Sequence, residues 1–142
     1  PPPAAPAPSA PAPRSDAWID QPQTPGTWRY GLQGGRSEAV FSGRENLALM
    51  RLRCEREARR VVLSLPESGA PRVPVTIRTP TLSRVVEAAP AGRETIAALD
   101  PRDPLLDAMV FARGRFAVEA PGMATLYLPS WAEIARVTED CR

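Results

Sequence analysis

The chain has 142 residues, 43% of them apolar, and a formal charge of only +2, so it can bury one core, and its net charge gives no pull toward nucleic acid. All 18 basic residues are arginine and histidine is absent, which removes Ser-His-Asp and Cys-His catalysis and the commonest metal ligand. Two cysteines without histidine cannot complete a structural zinc site without carboxylates, which such sites seldom use, and no run approaches the roughly 18 apolar residues of a membrane helix.

Residues 1–16 hold seven prolines among alanines and almost nothing to bury. They read as a disordered or polyproline-like arm, a spacer before a single domain over residues 17–142. The chain starts at proline, without methionine, charged n-region or apolar h-region, which fits an export signal removed upstream. In the domain, Trp18 and Ile19 offer the first contacts and Pro25-Gly26 a turn. Thr27 to Leu32 reads as a strand, Gly34-Gly35 as a hairpin turn and Glu38 to Phe41 as the return strand. The glycines lack the spacing and the lysine of a phosphate loop.

Asn46 to Glu55 has the best strand pattern. Ala48, Met50, Leu52 and Cys54 share one face, with Arg51, Arg53 and Glu55 on the other. After a charged turn, Val61, Leu63 and Leu65 supply the inward set of its partner. Val73, Val75 and Ile77 alternate in a strand that Pro74 assigns to a sheet edge. Short strands follow at Val85 to Ala88 and Thr95 to Leu99.

Asp103-Pro104 has the signature of a helix start, with Asp103 as N-cap and Gly114 as the stop. Phe116, Val118 and Ala120 then alternate, Pro121-Gly122 turns the chain, and Thr125 to Leu128 returns. Ser130 and Glu133 have the spacing of a capping box ahead of a last helix carrying Trp131, Ile134, Val137 and Cys141 on one side. Strands every ten or so residues, with two short helices confined to the C-terminal part, predict a mainly β fold, an antiparallel β-sandwich or curled sheet.

Cys54 ends a core strand and Cys141 sits on the apolar side of the last helix. A disulfide between them is favoured over two free thiols. It would close a loop spanning 87 positions, worth on the order of 4 to 5 kcal/mol by loop entropy, and it implies an oxidising compartment. Arg51, Arg53, Arg56, Arg59 and Arg60 form the densest basic group, a candidate anion or partner contact, although Glu55 and Glu57 are interleaved with it. Asp100, Asp103 and Asp107 read as capping and solubilising carboxylates, and Trp18, Trp28 and Trp131 as core anchors.

The pattern over residues 103–142, helix, Gly114, strand Arg115 to Ala120, turn, strand ending Leu126-Tyr127-Leu128-Pro129 and aromatic-led helix, resembles the end of the invasion-associated locus B family of exported bacterial β-sandwich proteins. More closely, it is similar to small exported proteobacterial proteins ending in RV-x-x-DCR. The resemblance extends over residues 28–142, without the further cysteine pair usual in that family. It implies an exported, non-enzymatic envelope domain and brings no catalytic residues.

The functional expectation is therefore a non-enzymatic periplasmic or envelope-associated module, bound to another protein and structural in role, with no cofactor, no metal, no nucleic acid and no membrane span. The competing expectation is a small anionic-ligand-binding protein or hydrolase using arginines and carboxylates.

Overall fold

The computed structural model describes residues 16–142. The arm expected over residues 1–16 lies, all but its last residue, outside them. Among the described residues, nine antiparallel strands form the body: β1 (Thr27–Gln33), β2 (Arg36–Ser42), β3 (Ala48–Glu55), β4 (Arg60–Pro66), β5 (Val73–Arg78), β6 (Ser83–Ala91), β7 (Glu94–Leu99), β8 (Arg115–Glu119) and β9 (Leu126–Pro129). Helix α1 (Pro104–Val110) joins β7 to β8, and α2 (Ala132–Asp140) closes the chain. The fold is mainly β, as the alternating apolar pattern requires.

Strand order in the sheet is β1-β2-β3-β4-β7-β6-β5-β8-β9. Strand β6 is the corner: Ser83 to Ala88 pair with β5, while Ala89 to Ala91 pair with β7. It spans nine residues, longer than the four-residue strand expected, because it serves both halves. The sheet curls over so that Met50, Leu63 and Leu65 of one half face Val75, Ile77 and Val118 of the other across a shared core. The core reads directly from the period-two pattern. Pro74 does not mark an edge. Strand β5 is interior, but β8 pairs only with Thr76 to Arg78, so Pro74 lies past the end of that ladder and its missing N–H costs nothing there.

Curling brings the two outermost strands together. The buried Trp28 indole N–H of β1 donates to the Pro129 carbonyl at the end of β9, at 2.8 Å. Just before β1, the Thr24 N–H donates to the Tyr127 carbonyl, and the Tyr127 N–H donates to the Thr24 hydroxyl. The edge of β9 is thus covered rather than left open to pair with another chain. Gly26 makes the close approach: a Cβ there would lie 2.5 Å from the Ser42 carbonyl oxygen and 2.6 Å from the Phe41 ring. The Phe41 ring in turn meets Trp28 edge-on, centroids 5.4 Å apart. A 310 turn at Asp16–Asp20 packs against β8 and buries Trp18.

Helix α1 starts as its sequence dictates. Asp103 is the N-cap, its carboxylate accepting from the Leu105 N–H at 2.8 Å, and Leu105, Leu106 and Met109 are buried. It ends at Val110, short of Gly114. The expected capping box does not form. Trp131 is the N-cap of α2 with no side-chain bond, and the Ser130 hydroxyl instead donates to the carbonyls of Met109 and Val110. Those carbonyls lie at a helix end, where acceptors outnumber backbone donors, so a nearby hydroxyl serves them in place of its own helix. Trp131 is also not a core anchor; it is 40% exposed because the N-cap lies outside the helical face that Ile134, Val137 and Thr138 bury.

Replacing Trp28 by Phe keeps the ring in the core but leaves the Pro129 carbonyl without its donor. A loss of about 1 to 3 kcal/mol in denaturant unfolding is expected; an unchanged midpoint would show that the sheet closes without this bond.

Candidate functional site

Helix α2 lies across the inner face of β1, β2 and β3. Ile134, Val137, Thr138 and Cys141 recur at three- and four-residue spacing, so they share the buried side. Cys141 reaches the last inward position of β3 and is bonded to Cys54, with Cα atoms 5.4 Å apart, inside the usual range for a disulfide. Polar contacts reinforce the covalent tie. The Tyr30 hydroxyl donates to the Asp140 carboxylate, and the Arg136 guanidinium lies 4.1 Å from the centre of the Tyr30 ring. The bond to Asp140, aided by burial, raises the Tyr30 pKa above its ordinary value. Arg142 donates to the Pro101 carbonyl and to Asp107, both at 2.7 Å, with Glu139 3.7 Å away.

The disulfide lies between two concavities. On one side is an open groove of about 910 Å³, walled by the β1–β2 turn at Gly34-Gly35, by Tyr30, Glu55 and Glu57, and by Asp140 of α2. Gly34 and Gly35 take φ of 58° and 78°, the left-handed pair that a tight hairpin turn demands. On the other side is a shelf of about 470 Å³ lined by Arg56, Arg59, Arg102, Arg142, Asp100, Pro101 and Cys141. Arg56 and Arg142 belong to both.

The five arginines singled out from sequence do not act as one patch. Arg51 and Arg53 project from the outer face of β3 on either side of Glu38, whose side chain is only 6% exposed, at 3.6 and 3.7 Å. Arg51 also approaches Glu94 of β7, which accepts from the Ser64 hydroxyl, and Arg53 approaches Glu55. Val62, fully buried, is the register partner of Arg53 on that face. Arg60 bonds Glu55 at 2.6 Å, and this bond, with the attraction of Arg60 and Arg53, holds the Glu55 pKa down against burial. Arg56 and Arg59 stand apart, exposed in the turn between β3 and β4. Arg102, which had no distinguishing local pattern, joins them only because the turn after β7 passes the turn after β3.

Asp103 does more than cap. Arg84 of β6 grips it with two bonds, at 2.9 and 2.6 Å. Burial pushes its pKa up, but Arg84 and the Leu105 N–H outweigh that and hold it below the ordinary value. Asp107 pairs with Arg142. Among the described residues no three metal-ligating side chains cluster, and no helix is long and apolar enough to cross a membrane. Scans against protein-family models, curated proteins and solved structures found no match to this chain.

Asp103 and Glu55 titrate with depressed pKa, so the stability they contribute is present above the unfolded carboxylate range and lost as pH falls through their folded values. Unfolding midpoints should therefore drop below about pH 4, and Arg84→Gln should flatten that acid limb; an identical acid profile for wild type and variant would exclude the Asp103 linkage. The disulfide should leave the chain two hydrogens lighter than its dithiol form by mass. Cys54→Ala/Cys141→Ala should lose about 2 to 5 kcal/mol of stability; free alkylation of both thiols in protein from its native compartment would refute the bond.

Proposed function

We propose that this chain is a non-enzymatic, extracytoplasmic module of the cell envelope that docks another protein through the corner formed by Phe111 and Trp131. Phe111 is 78% exposed and Trp131 40% exposed. The Ser130 bond to the Val110 carbonyl holds the residues just before each of them together. Aromatic side chains of this kind anchor protein interfaces, and keeping two of them in water at one corner favours a partner that covers them. The Cys54–Cys141 disulfide supports the compartment, because such bonds persist where thiols are not kept reduced. The resemblance to exported envelope domains points the same way.

A photo-reactive amino acid placed at position 111 or 131 of the full chain in its native cell should crosslink to the same discrete protein from both positions. A position on the exposed loop at Arg72 should not. Equal crosslinking from all three, or none from 111 and 131, would sink this reading.

A further inference from the structure

We infer that the shelf beside the disulfide is an anion site for a phosphate group, formed by Arg56, Arg59 and Arg102 with Arg142 as its wall. Four arginines line it against one acidic residue, Asp100. That carboxylate already accepts from the Arg102 N–H at 2.8 Å, a bond that shapes the turn and holds Arg102 on the shelf. Arg142 is committed to Pro101 and Asp107 and cannot swing away. Arg56, Arg59 and Arg102 are exposed and, among the described residues, carry no ion pair, whereas Arg51, Arg53, Arg60, Arg78 and Arg84 are all paired. Four like charges gathered beside a single carboxylate repel one another, so an arriving anion relieves that repulsion as well as gaining bonds.

The number of donors selects the ligand class. A carboxylate presents two oxygens and is filled by one guanidinium fork, while a phosphate presents three or more and can be shared by several. The shelf offers three free forks on two turns that are fixed to each other through Cys54, Cys141 and Arg142. Arg59 adds a second sign. Its φ of 53° is a conformation that glycine occupies far more easily, yet a long cationic side chain stands there. The turn keeps a charge where local backbone preference disfavours any side chain.

This site is separate from the aromatic corner. Arg102 lies before the first turn of α1 and Phe111 after its last. A phosphate could come from a free small molecule or from a lipid headgroup, and the two sources give different results.

The experiment is a titration of the full chain with inorganic phosphate, followed by backbone amide NMR at low salt. Saturable shifts are expected over residues 56–60 and 100–102, weakening as salt rises. Arg59→Gly combined with Arg102→Gln should weaken binding by about ten-fold or more, while Arg72→Ala and Arg93→Ala, on distant turns, leave it unchanged. Arg59→Gly relieves the turn, so its melting temperature should equal or exceed wild type, and lost binding cannot be blamed on unfolding. A second arm uses vesicles of phosphatidylglycerol in phosphatidylcholine: co-sedimentation lost in the double variant assigns the phosphate to a lipid headgroup, and saturable phosphate shifts without co-sedimentation assign it to a free ligand. No saturable shift and no co-sedimentation, the same binding in the double variant, or acetate binding as tightly as phosphate would overturn the proposal.

Discussion

The bond between Cys54 and Cys141 is the constraint on which the C-terminal end of the molecule depends. It fixes the end of α2 to the last inward residue of β3, and so joins the final element of the chain to a strand from its first half. Tyr30, Asp140, Arg136 and Arg142 then meet across a joint whose position is already set. Short-range polar contacts of this kind contribute little where solvent competes for each partner, but they hold when the groups have no other arrangement to visit. Both the groove and the shelf have a disulfide cysteine in their walls.

Arginine serves two different purposes here, separated by a few residues. On the outer face of the sheet, Arg51 and Arg53 share Glu38, so their charge is neutralised on the spot. In the turn beyond, Arg56 and Arg59 form no ion pair among the described residues. Register places Arg53 opposite Glu38 and Arg51 two residues along the same face from it; the turn lets its own arginines extend from the body. A sequence window that counts charges cannot separate these two situations, because the carboxylate that the two strand arginines share, Glu38, comes from β2, and Glu94 comes from β7.

Much of the fold was legible because its signals are local. Alternation along β3, β4 and β5 assigns inward faces, Gly34-Gly35 marks a hairpin, and Asp103-Pro104 starts a helix by chemistry complete within three residues. The misreadings share a cause. Ser130 and Glu133 have capping-box spacing, but the hydroxyl found unsatisfied carbonyls on another helix. Trp131 lies next to an amphipathic helix in sequence, yet it precedes the face that is buried. Pro74 disfavours central ladders in general and is tolerated in this one, because the neighbouring strand stops short of it.

Residue order alone therefore determined the mainly β class, the absence of histidine chemistry, the strand faces, and the inward aim of both cysteines, since each follows from side-chain period or composition. Only the tertiary structure decided that the sheet curls until Trp28 reaches Pro129, that Glu38 is the counterion of two arginines, and that Arg102 stands beside Arg56 and Arg59. Those are meetings between segments far apart in the chain. Their geometry is set by how the curled sheet and the last helix pack, which no single stretch of residues encodes.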